Sequence, residues 1–153
     1  MWAYNQTMNH EALQDNLYWL FLVASFQAKK GFINIADQHG LTVVQLYALC
    51  TLEPGRPLPM KEIANVLNCD PSNVTGIIDR LFLQHFIERQ ELPADRRVKM
   101  VALTPQGIKL RDQLVEGIVT YRSDRLERLT PAERTQLKDL LRHILAVDTS
   151  AVS

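Results

Sequence analysis

The sequence predicts a mainly α-helical chain with one small β-hairpin, an α+β fold. Three observations predict it. Apolar residues recur at helical spacing near both ends of the 153-residue chain. Three cap-then-proline pairs, Asp70-Pro71, Thr104-Pro105 and Thr130-Pro131, each mark a helix start. Two β-type runs, 86–92 and 98–103, flank the turn-forming segment Pro93-Ala94-Asp95-Arg96-Arg97.

Taken in order, Leu13, Leu17, Leu20, Phe21, Ala24 and Ala28 space a helix over residues 10–37, stopped by Gly40. Thr42-x-x-Gln45 is a capping box for a short helix to Leu52 that carries Val44, Leu46, Tyr47 and Leu49. Glu53 to Pro57 is a turn. Met60–Leu67 makes a helix of about two turns, with Pro59 where a capping Ser or Thr is expected. Asn68 tolerates the left-handed backbone of a tight connector. The helix from Pro71 to about His85 turns Val74, Ile77, Ile78, Leu81 and Phe82 inward. After the hairpin, a long helix runs from Pro105 through Ile108, Leu110, Leu114, Ile118 and Tyr121 to about Leu129. Thr130 and Glu133 form a second capping box, opening a last helix with Leu137, Leu140, Leu141, Ile144 and Leu145 on one stripe.

Composition narrows the class. Apolar content of 46% and charged content of 22% are ordinary for a soluble domain. No run approaches about 18 apolar residues, so no membrane span is expected. Met1-Trp2-Ala3-Tyr4-Asn5 lacks a signal-peptide layout, so the expectation is a cytoplasmic protein. Cys50 and Cys69 lack CxxC spacing and read as reduced packing residues. His10, His39, His85 and His143 form no i,i+4 pair, so no metal site is expected. Glycine-rich phosphate loops, nucleophile elbows and carboxylate clusters are missing from the sequence, so neither an enzyme nor a cofactor is expected.

Net charge is zero, but it is unevenly spread. Residues 1–28 carry −2, residues 29–88 carry −1 and residues 112–153 carry −1. Residues 89–111 carry +4, from Arg89, Arg96, Arg97, Lys99, Lys109 and Arg111 against Glu91 and Asp95. Local field draws a protein to a phosphate backbone more than the global sum does. A basic hairpin tip suits a backbone or a narrow groove.

Ala64, Asn68 and Val74 have the spacing of two helices packed across a three-residue turn. Ala64 permits close approach, Asn68 turns the chain and Val74 anchors the second helix. An ordinary helical hairpin would carry the same residues. The outward positions of the second helix are Ser72, Asn73, Thr75, Gly76 and Arg80, small or polar groups suited to phosphates and base edges. Asp79 would repel DNA there unless a neighbouring cation pairs with it.

Helix-turn-helix, basic hairpin and long terminal helices together resemble the MarR family of bacterial transcription regulators. The resemblance covers about residues 10–147. Its most specific part is Asp95-x-Arg97-x-x-x-Val101-x-Leu103-Thr104-x-x-Gly107, with Ile63-Ala64 and Asp79-Arg80-Leu81 beside it. Pro59 and Gly76 depart from common family choices. The resemblance implies a winged helix-turn-helix over 41–111, with dimerisation helices at the N- and C-termini (1–40 and 112–153). It implies that Arg97 enters the minor groove of double-stranded DNA and that Asp95 braces it. Arg96, Lys99 and Lys61 are further candidate DNA contacts. It also implies a homodimer, acting as a repressor on a pseudo-palindromic operator and released by a small aromatic or phenolic effector. Tyr18, Trp19, Phe26 and Tyr47 are candidate pocket linings, though aromatics at helical spacing more often belong to a core. Two alternatives stand beside this reading. One is a winged-helix protein-interaction module without DNA binding, suggested by the scarcity of long cations over 72–80. The other is a thiol-redox regulator acting through Cys69, at the start of the second helix.

Overall fold

The computed structural model describes residues 12–92 and 95–149, without the side chains of 92–97 and 146–149. It divides into two compact units, Met1–Thr120 and Tyr121–Ser153. The first unit contains α1 (Leu17–Gln38), α2 (Val43–Thr51), β1 (Leu58–Pro59), α3 (Met60–Leu67), α4 (Pro71–Leu83), β2 (Ile87–Leu92), β3 (Asp95–Leu103) and α5 (Pro105–Thr120).

Local chemistry sets most of these boundaries. The Asn16 side chain accepts the Trp19 N–H at 2.9 Å. That cap starts α1 at Leu17, later than the expected residue 10; residues 10 and 11 lie outside the described residues. Helices α1, α3 and α4 all end in the same way. A left-handed residue, Gly40 (φ 66°), Asn68 (φ 48°) or His85 (φ 61°), turns the chain. The next N–H then donates back: Leu41 to Ala36, Cys69 to Ala64, Phe86 to Leu81. The Thr42–Gln45 capping box forms as expected.

The core joins all these elements. Ile35, Leu46, Leu49, Leu52, Ile63, Leu67, Val74, Ile78, Leu81, Ile87, Val101, Leu103, Leu110 and Leu114 are buried together. Each fully buried aliphatic side chain contributes about 1.5–3 kcal/mol. The sheet is antiparallel with order β1-β3-β2. Strand β1 is an addition to the sequence reading, which placed a turn over Glu53 to Pro57 and only the weak helix start at Pro59 after it. Leu58 and Pro59 pair with Val101 and Met100. Proline is tolerated because β1 lies at the sheet edge.

Thr104 locks β3 to α5. Its N–H donates to the Phe86 carbonyl at 3.1 Å and its hydroxyl to the His85 carbonyl at 2.7 Å. The same oxygen accepts the Gly107 N–H at 3.0 Å. Helix α5 ends at Thr120 and does not run on to Leu129. The Thr120 hydroxyl bonds back to the Glu116 carbonyl at 2.7 Å. Ser123 and Asp124 follow, and such side chains compete with helical backbone bonds.

The second unit has a short 3-10 turn, Leu126–Arg128, and helix α6, Pro131–Thr149. The Thr130–Glu133 capping box is complete. Glu133 accepts the Thr130 N–H and hydroxyl, both at 2.8 Å, and donates its own N–H to Thr130 Oγ1 at 3.3 Å. The Thr130 backbone bond, then its hydroxyl bond, holds the Glu133 carboxyl below its ordinary pKa. A carboxyl lowered on folding contributes stability above its unfolded value, near 4.3, and loses it as pH falls through the folded value. Glu133→Gln is therefore expected to flatten the acid limb of an α6 melt below about pH 4.5. Circular dichroism of both proteins across that range tests it; superimposable acid limbs would rule it out.

Candidate nucleic-acid interface

Helices α3 and α4 pack through Ile63, Ala64, Leu67, Val74, Ile78 and Leu81, all buried. Asn68 adopts the left-handed turn that the sequence predicts. Cys69 is half-buried there and its thiol donates to the Leu67 carbonyl at 3.3 Å. Ser72, Asn73, Thr75, Gly76 and Arg80 are all exposed on α4. Asp70 precedes α4, but its side chain makes no capping bond, contrary to expectation. The backbone donors of the first turn therefore lack a side-chain acceptor, an arrangement that suits a phosphate.

Asp79 is neutralised from within the fold. Arg89 on β2 forms an ion pair with it, and the guanidinium lies 5.2 Å from the Phe82 ring centroid. Sequence reasoning left this partner open, because Arg89 belongs to a different element. The pair joins the second helix of the motif to the hairpin.

On the hairpin, Glu91 faces Lys99 and the two side chains pair at 2.8 Å. The next registered pair is Leu92 with Asp95, so Arg96, Arg97 and Val98 have no partner on β2. Such a bulge bends the strand and re-aims its residues. It moves β3 pairing back to Asp95, where the sequence suggests a loop through Arg97. The side chains of Asp95, Arg96 and Arg97 lie outside the described residues, so their predicted roles carry no geometry. A surface cleft of about 400 Å³ is lined by Met60, Thr75, Arg89, Gln90, Glu91 and Lys99, which places α4 and the hairpin on one continuous face. Lys61 is exposed on α3.

The charge excess of the 89–111 segment is smaller in the fold than in the sequence. Arg89 is paired with Asp79 and Lys99 with Glu91. Arg111 is turned inward, its Nε donating to the Leu52 carbonyl at 2.7 Å. That bond ties α5 to the end of α2 across 59 positions, a separation no local pattern reveals. Nearby Cys50 has its thiol pKa raised by burial, with Arg111 opposing. Tyr18, Trp19 and Phe26 are exposed on α1, and Tyr47 on α2. Among the described residues no cluster of His, Cys, Asp or Glu could hold a metal, and no helix is long and apolar enough to cross a membrane.

A polar-faced second helix joined to a basic antiparallel hairpin, both carried on one core, defines a winged helix-turn-helix DNA-binding protein. Known proteins agree. Residues 41–99 match the MarR family. The repressor MdtR of Bacillus subtilis is 31% identical over 118 residues, 76% of each chain. BpsR of Bordetella bronchiseptica, whose DNA binding is regulated by 6-hydroxynicotinic acid, superposes with TM-score 0.73 at 27% identity, covering 85% of this chain and 93% of that one. The repressor CouR, known from Rhodococcus jostii and solved on a 23-mer DNA duplex, superposes with TM-score 0.75 at 27% identity, covering 87% and 94%. The chain belongs to the MarR family, and is a transcription regulator rather than an enzyme.

Proposed function

We propose that this regulator is a cytoplasmic homodimeric repressor that binds a short pseudo-palindromic operator and leaves it when a small aromatic or phenolic molecule binds. The observation that carries the reading is the shared face of α4 and the bulged hairpin, with Thr75 and Lys99 lining one cleft. On that face Ser72, Asn73, Thr75, Gly76 and Arg80 meet the major groove, while Arg96, Arg97 and Lys99 reach the adjoining backbone or minor groove. Lys61 supplies a phosphate contact from α3, and Asp95 braces the wing. The duplex on CouR supports the DNA partner.

Dimerisation is assigned to 1–40 and 112–153, with the winged unit at 41–111. Support comes from apolar side chains left in water: Leu17 is 81% and Tyr18 72% exposed on α1, and Leu145 is 65% exposed on α6. Patches of this kind on a soluble protein mark interfaces. A twofold dimer sets two α4 helices about one helical turn apart on DNA. The effector class follows from 6-hydroxynicotinic acid on BpsR, an aromatic acid, with Tyr18, Trp19, Phe26 and Tyr47 as candidate contacts. A thiol switch is not favoured, because burial raises the Cys50 thiol pKa and Cys69 packs against the turn.

Selection from random duplexes tests the proposal. Enrichment of one palindrome, with affinity falling steeply between about 50 and 200 mM salt, is the expected result. Failure to enrich any duplex would favour a protein-interaction module, a reading kept alive by the internal pairing of Arg89 and Lys99.

A further inference from the structure

Gly76 sits in the middle of α4, where glycine is the poorest helix former after proline. Two structural needs usually account for such a glycine: a left-handed backbone or a neighbour too close for a side chain. Neither holds here. Among the described residues only Asn68 and His85, with Gly40 and Gly55, have positive φ. A Cβ built on Gly76 meets nothing within 4 Å. Gly107 is the contrast, since the Phe86 backbone fills the space that its Cβ would occupy.

The position of Gly76 gives the space a use. At about 100° per residue, Gly76 lies opposite the buried stripe of Val74, Ile78 and Leu81. It is the crest of the exposed face, between Ser72 and Arg80. Its neighbour Thr75 commits its hydroxyl proton to the Pro71 carbonyl at 3.0 Å. Thr75 therefore offers an outside partner lone pairs and a methyl group, not a donor.

We infer that Gly76 is a specificity-determining residue of α4, the point where a thymine methyl in the major groove seats against helix backbone. Every other residue type puts a Cβ in that place. Thymine is the base whose major-groove edge carries a methyl. The inference rests on the DNA-binding reading above.

The test begins with the duplex that wild type selects. Wild type and Gly76→Ala are then compared on three duplexes: the selected one, the same one with deoxyuridine replacing thymine at single symmetric positions, and an unrelated one. Gly76→Ala is expected to melt about 2–4 °C higher, because alanine is the better helix former. It is expected to bind the selected duplex at least about tenfold more weakly, and the unrelated duplex equally well. Deoxyuridine at one symmetric position, by removing the methyl, is expected to restore much of the variant's affinity. An alanine variant that binds the selected duplex as tightly as wild type overturns the inference. So does an equal loss on selected and unrelated duplexes, which would put a phosphate over Gly76. A wild type that enriches no duplex overturns the DNA-binding reading itself, and the inference falls with it.

Discussion

Gly107→Ala is expected to destabilise the fold strongly. A Cβ at Gly107 would run into the Phe86 carbonyl oxygen, with the carbonyl carbon at 2.8 Å and Leu103 Cδ2 at 3.3 Å. The obstruction is backbone, so no rotamer relieves it. Phe86 has little freedom to retreat. The left-handed turn at His85 precedes it, and buried Ile87 follows it into the sheet. Its carbonyl also accepts the Thr104 N–H, and Thr104 caps the Gly107 N–H. Moving α5 outward would break that lock and open the core around Leu110 and Leu114, both buried. Overpacking against fixed backbone costs about 3 kcal/mol or more. At about 2–4 °C per kcal/mol, the midpoint falls by roughly 6–12 °C. Thermal melts of the two proteins decide it. A variant melting within about 2 °C of wild type would show that α5 does not approach Phe86 this closely.

Arg97→Ala is expected to weaken operator binding about 10–100-fold while leaving the melting temperature unchanged within about 1 °C. Arg97 lies on the stretch of β3 that has no register partner on β2, so its removal breaks no ladder pairing. In a twofold dimer the loss is counted twice. The slope of log affinity against log salt is expected to become shallower by about two. Arg97→Lys would keep the charge but lose the planar guanidinium, and an intermediate affinity is expected. Anisotropy titrations at several salt concentrations measure all of this. Equal affinity and equal slope for wild type and Arg97→Ala would remove the wing arginine from the interface.

Much of the chain was legible because the governing interactions are local. The Thr42–Gln45 and Thr130–Glu133 boxes act across three residues, and each formed as read. Gly40 and Asn68 turn left-handed within the segments that they terminate. Helical apolar spacing located the buried Val74, Ile78 and Leu81 of α4, whereas Phe82, read as inward, is exposed beside Arg89. Locality also explains the errors. The periodic pattern after Leu114 gave no sign that Thr120 would bond back to Glu116 and end the helix. A two-residue strand containing Pro59 has no periodicity to find, and exists only because β3 offers it an edge.

Sequence alone determined the order of the helices, the caps that bound them, the hairpin and its basic residues. These follow from propensity and from hydrogen bonds between near neighbours, whose closure entropy is small. Only the tertiary structure decided which cations remain available and which glycines are obligatory. Arg89 went to Asp79 ten residues away, and Arg111 to Leu52 across 59. Gly107 proved to be held by an approaching backbone, whereas Gly76 faces open space. In the sequence both are simply glycines in helices. The difference between them is the presence of a neighbour, and packing alone supplies neighbours.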